Sequence, residues 1–186
     1  INHKKVSDNI LNMKFYLRGR RLDELIYHLK KSRQFKDASY YTIKRAQEYY
    51  KSGSKAEAFE MDKEAIEYSL LSEDKLRQII AYQKAGNRCF ISGQITKTEE
   101  YYKKSVEISI DLKNYNLTLL LMNRLLDVHM NLNDIDAIKK DFVKIEEYLE
   151  IYSSKKALLD YHVSMLRYLV KIDDFQEAKI WLEKAE

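Results

Sequence analysis

The chain has 186 residues, a formal net charge of +4, one cysteine, four glycines and no proline. Average usage would supply about 5% proline, so almost nothing interrupts helices and the chain reads as all-α; the lone Cys89 excludes an internal disulfide framework and suits a reducing, cytoplasmic setting. Charged residues of both signs make up 33% of the chain, which fits a solvated surface better than a nucleic-acid binder. The longest largely apolar run, residues 117–122, is far short of the ~20 needed to cross a bilayer.

The first predicted helix pair covers about residues 6–18 and 22–35, hinged at Gly19. Residues 1–37 hold ten Lys or Arg against four acids, among them Arg18, Arg20, Arg21, Lys30, Lys31 and Arg33. Such an end can face an acidic partner, a membrane surface or DNA, although a solvated helix pair explains it more simply. From Ala38 onward the chain matches itself at a shift of 40 residues. Ala46, Gly86, Leu126 and Leu166 share one column, and Gly53, Gly93, Asn133 and Asp173 a second. Ala58, Thr98, Ile138 and Ala178 form a third, and Ala65, Ser105, Ile145 and Ala185 a fourth. A fixed period of this size marks an array in which each two-helix unit buries its apolar face on its neighbours.

Four hairpins are expected, over about residues 38–74, 75–114, 115–153 and 154–186, with the last truncated as part of something longer. In the first, Gly53 supplies the turn and Ser54 with Glu57 is expected to form a capping box. In the second, Ser72, Glu73 and Asp74 offer an N-cap for a helix over residues 75–91, and Thr96 with Glu99 reads as another capping box. The third pairs residues 117–130 with 135–152, and the fourth turns at residues 172–174, where Asp174 and Glu177 stand as a capping pair before a helix over 175–185.

These columns resemble the tetratricopeptide repeat, which places small residues at helix crossings and an aromatic near the end of the first helix. Ala46, Tyr50, Gly53, Ala58 and Ala65 match it in the first hairpin, and Gly86, Phe90, Gly93, Tyr102 and Ser105 in the second. Phe175, Ala178 and Ala185 match in the fourth, whereas Leu126, Ile138 and Ile145 are bulkier and should hold the third hairpin's helices further apart. The resemblance implies a right-handed α-solenoid of stacked antiparallel helix pairs. Its 40-residue period, with the stretches at residues 46–50, 85–87 and 107–114, is similar to that of the peptide-pheromone receptors of Gram-positive bacteria, the Rap-like group.

In such arrays the first helix of each pair lines a concave groove. The positions around the small crossing residue give Lys44, Lys84, Arg124 and Ser164 in one row, Gln47, Asn87, Asp127 and Arg167 in the next, and Ile43, Gln83, Asn123 and Val163 in a third. Amides bond both N–H and C=O of an extended peptide, and Lys and Arg hold a carboxylate, so this lining suits a protein or short peptide, acidic or with a free C-terminal carboxylate. The simpler alternative is an ordinary solvated helix face.

No catalytic constellation emerges, and neither metal nor cofactor is expected. His3, His28, His129 and His162 lie on separate segments without an HExxH motif or an evident acidic orienter. Cys89 sits in a packing column, as an inert buried thiol would. The expected function is a non-catalytic binding scaffold, the sensory or docking part of a larger bacterial regulatory protein. A pheromone-responsive transcriptional regulator, or nucleic-acid association through the basic N-terminal helices or a missing domain, is the alternative. A third reading, self-association as a homodimer, would use Ile180, Trp181 and Leu182 on the last helix.

Overall fold

With no proline and few glycines, each apolar stretch runs as helix until a left-handed residue stops it. The computed structural model describes residues 2–12, 17–152 and 154–185. Among them are ten helices and no strand: α1 His3–Asn12, α2 Arg20–Lys31, α3 Phe35–Lys51, α4 Lys55–Leu71, α5 Lys75–Ile91, α6 Ile95–Asp111, α7 Tyr115–Leu132, α8 Ile135–Ile151, α9 Lys155–Lys171 and α10 Phe175–Ala185.

The period is finer at the backbone level than in the sequence. Arg33, Gly53, Glu73, Gly93, Lys113, Asn133 and Asp173 all have positive φ, between 54° and 87°, at intervals of 20 or 40 residues. At most of these the same pair of bonds closes the helix. At Lys113, for instance, Asn114 N–H reaches Ser109 C=O at 3.2 Å and Lys113 N–H reaches Ile110 C=O at 2.9 Å, which is the Schellman arrangement. Only two of the seven positions carry glycine, so each of the other five holds a side chain in a region that costs about 1 kcal/mol or more.

Helix starts depart from the expected pattern at two places. Ser54 is the N-cap of α4 but makes no side-chain cap bond, so the Ser54–Glu57 box is not formed. Thr96 lies inside α6, one residue past its start, and the hydroxyl that bonds back is that of Thr98, to Gln94 C=O at 2.9 Å. Asp74, Asn114, Asp134, Ser154 and Asp174 do cap, each accepting from the backbone N–H three residues on. At the N-terminus α1 begins at His3 rather than Val6. Residues 17 and 18 are not helical, and part of the expected first helix, residues 13–16, lies outside the described residues. The helix expected to reach Phe35 ends at Lys31 instead, because Arg33 takes the left-handed turn and Phe35 opens α3.

The chain divides into two compact units, residues 1–108 and 109–186. In the first, Leu25, Ile26 and Leu29 of α2 pack with Ala38 and Tyr68, Leu22 is buried, and Arg45 of α3 holds Asp23 of α2 through two bonds of 2.8 and 2.9 Å. Ala46, Ala58 and Ala65 are essentially sealed where α3 meets α4, close enough for Ser39 Oγ to donate to Ala65 C=O at 2.8 Å. A methyl at Gly86 would sit 3.5 Å from Tyr101 Cβ, an ordinary contact, so the crossing of α5 and α6 has room for alanine and little more.

In the second unit the same columns hold Leu126, Ile138 and Ile145, all 0% exposed. Each such buried aliphatic contributes about 1.5–3 kcal/mol. There α7 packs on α8 less extensively than α3 does on α4. Phe142 of α8 then meets the rings of Tyr161 and Tyr168 of α9 at 5.9 and 5.5 Å.

Candidate binding faces on the first helices

Within each unit the first helices of successive hairpins touch directly, α3 with α5 and α7 with α9. Side chains bridge them at separations near the repeat length. In the first unit Arg88 Nη1 donates to Gln47 Oε1 at 3.2 Å, and the Tyr50 and Ser92 hydroxyls are 3.1 Å apart. In the second, Ser164 Oγ donates to Asn123 Oδ1 at 3.3 Å, Arg167 Nη1 to Asp127 Oδ1 at 2.6 Å, and Lys171 Nζ to Met130 C=O.

These bonds sort the expected lining residues. Gln47, Asn123, Asp127 and Arg167 are engaged in the bridging, and Asn123 also donates to Leu119 C=O at 3.1 Å. Asn87 accepts from the Tyr102 hydroxyl of α6. Ser164 is buried, and Ile43, Gln83 and Asn87 are half-buried. The cations differ. Lys84 and Arg124 are exposed and make no bond among the described residues, and Lys44 is exposed with its ammonium 4.5 Å from the centre of the Tyr40 ring. Val163 also lies exposed on α9.

The structure adds a buried ion pair that the sequence reading passed over. Arg88 Nε donates to Asp62 Oδ2 at 2.6 Å and Nη2 to Oδ1, with side chains only 4% and 3% exposed. Burial raises the Asp62 carboxyl above its ordinary value, and the bond and charge of Arg88 only partly oppose this. The signal was present in the column, since Asp62 aligns with Tyr102 and Phe142, both core residues. A carboxylate at a core position demands a buried cation. The guanidinium thus ties α4 to α5 and, through Gln47, to the first-helix face.

The histidines are less isolated than expected. His3 Nδ1 lies 2.8 Å from His28 Nδ1, and buried His129 has an acidic orienter after all, Asp141 Oδ2 at 2.5 Å. His162 packs edge-on against Trp181 at 5.3 Å. Trp181 is consequently half-buried, its indole N–H donating to Glu177 at 3.1 Å, while Ile180 and Leu182 stay exposed. No group of three or more His, Cys, Asp or Glu among the described residues could hold a metal ion. Cys89 is buried, and burial pushes its thiol above the usual range. No helix among the described residues is long and apolar enough to cross a membrane.

No protein-family profile and no curated protein matches the sequence. Solved structures do match. The TPR-like repeats of a putative kinesin light chain from Podosopora anserina superpose with a TM-score of 0.67 at 12% identity, over 99% of this chain and 91% of that one. A signal-transduction ATPase with a tetratricopeptide-repeat sensor from Pyrococcus horikoshii gives 0.69 at 12% identity; 98% of this chain is covered but only 28% of that protein. BtubC from P. vanneervenii gives 0.58 at 18% identity, over 89% and 77%. The fold of this chain is therefore that of the tetratricopeptide-like helical repeats, stacked antiparallel helix pairs read in the same order.

Proposed function

We propose that the protein is a non-catalytic scaffold that binds a protein or peptide on its first-helix faces, serving as the sensory or docking part of a larger regulatory protein. The observation that carries this reading is the sorting just described. Residues that join neighbouring first helices are mutually bonded, whereas Lys44, Lys84 and Arg124, which recur in one column, are left solvent-facing beside amides. A polar face on which Lys84 and Arg124 make no bond among the described residues suits a carboxylate-bearing or acidic segment.

The test places a photo-crosslinking amino acid at Lys84 in the first unit or Arg124 in the second, and for comparison at the exposed second-helix residues Glu60 and Lys140. A specific partner should be captured from the first-helix positions in several-fold excess. Equal capture from both faces would overturn the assignment.

A further inference from the structure

One pair of neighbouring first helices leaves open a cleft at a place where another pair is joined by side-chain contacts. In the first unit, Lys36 and Asp74 join α3 to α5 as an ion pair of 2.5 Å, and the Arg77 guanidinium lies 5.1 Å from the centre of the Tyr40 ring. Eighty residues on, these four columns hold Asn116, Ser154, Ala157 and Leu120. The two large partners have become alanine and leucine, and the two charges have become an amide and a hydroxyl. A cleft of about 440 Å³ opens there between the N-terminal halves of α7 and α9, within the size range of small-ligand sites.

Its lining is specific in chemistry. Leu117, Leu120 and Ala157 give an apolar wall, and Asn116 and Asn123 line the same space. Asn116 has no partner among the described residues, and Asn123 retains one unused N–H after bonding Leu119. Lys156 and Asp160, one helical turn apart on α9, also border the cleft and make no ion pair among the described residues.

We propose that this cleft between α7 and α9 binds a short extended peptide segment, one aliphatic side chain seated between Leu117, Leu120 and Ala157 and the adjoining peptide group bonded by Asn116 and Asn123. An amide side chain offers the donor and acceptor that a backbone C=O and N–H require. The opposite charges of Lys156 and Asp160 favour a neutral or zwitterionic segment over a purely acidic one. This inference rests on the scaffold reading and places a peptide anchor in the second unit, beside rather than on the exposed cationic row.

The probe is a pool of random tetrapeptides with one fixed leucine, acetylated and amidated, added at about 1 mM, a concentration that half-saturates a site of about −4 kcal/mol. Amide NMR spectra of the full chain should show the side-chain NH₂ signals of Asn116 and Asn123 shifting. The variant L120Y/A157R restores to the cleft the side-chain pair that the first unit already accommodates, and should weaken binding at least tenfold with an unchanged far-UV spectrum. N116A, at an exposed position, should weaken it several-fold without affecting folding. Shifts that survive L120Y/A157R, or an absence of shifts at both asparagines, would overturn the cleft. The scaffold reading fails separately, through the crosslinking contrast between the two helix faces.

Discussion

Replacing Arg88 by methionine isolates a buried carboxylate–guanidinium pair of the first unit. Both side chains are almost sealed from solvent, Asp62 would keep its burial, and the substitution removes every bond that the pair supplies. Stranding one member of such a pair costs about 3–5 kcal/mol. The pH dependence follows from the same carboxyl. Its folded-state value is raised, chiefly by desolvation, so the native protein binds that proton more tightly than the unfolded chain. Stability therefore falls as pH rises from the unfolded carboxylate value of 3.8 through the raised native one. Without Arg88 the native value climbs further, and the deficit of R88M should shrink on moving from pH 7 to pH 5. Adding D62N should recover much of the loss, and the isosteric double change D62L/R88M should come within about 1 kcal/mol of the parent. Urea unfolding followed by far-UV circular dichroism reads all four proteins. A midpoint for R88M equal to that of the parent at pH 7, or no rescue by D62N, would refute the reasoning.

The left-handed turn positions make an opposite pair of expectations. Lys113→Gly and Glu73→Gly should each stabilise by about 0.5–1 kcal/mol, and Gly53→Ala should destabilise by about 1 kcal/mol, seen as melting shifts of about 2–4 °C per kcal/mol in calorimetry. Gly86→Ala should be neutral or stabilising by up to ~1 kcal/mol, since its new methyl meets Tyr101 at ordinary contact distance and removes a helix-interior glycine. Gly86→Leu should lower the melting temperature by forcing α5 from α6. Iodoacetamide should alkylate Cys89 at a rate that tracks unfolding, because the thiol is buried and its pKa is raised; labelling of the native protein at the rate of a free thiol would contradict this.

The repeat was legible because it is written in residues whose role is purely local or purely steric. Small residues at Ala46, Ala58 and Ala65 announce close helix crossings, and Asp74, Asp134 and Asp174 announce helix starts. The turns at Arg33, Glu73 and Lys113 were harder to see. At Arg33 and Lys113 the left-handed backbone goes with the paired Schellman bonds that close the helix, and at Glu73 with its N–H bonded to Leu70 C=O, not with any preference of the side chain. The failed capping boxes show the reverse case: Ser54 has the residue type and the position, yet the cap bond is not made. Partnerships such as Asp62 with Arg88 and His129 with Asp141 join residues 26 and 12 apart on different helices, a distance at which periodicity alone assigns no contact.

Within this architecture, differences inside a column carry more functional information than the consensus does. A column that is small everywhere sets how closely helices approach, and it says nothing of what binds. The column of Arg77 and Ala157 is different, because the backbone at both sites is the same helix turn while the side chain either plugs the gap between first helices or leaves it open. The same logic applies to Asp62 and Phe142, which share a column: in the first unit it secures its neighbour through an ion pair and in the second through aromatic contact with Tyr161 and Tyr168. Exchanging these solutions between units, as L120Y/A157R does for the cleft, alters one property while leaving the repeat frame intact. If ligand recognition resides in such exceptions, transplanting the opposite solution, Y40L/R77A with K36N and D74S, should open a comparable cleft between α3 and α5 and give the first unit a new peptide-dependent NMR response; an unaltered response would show that the open space alone does not make a site.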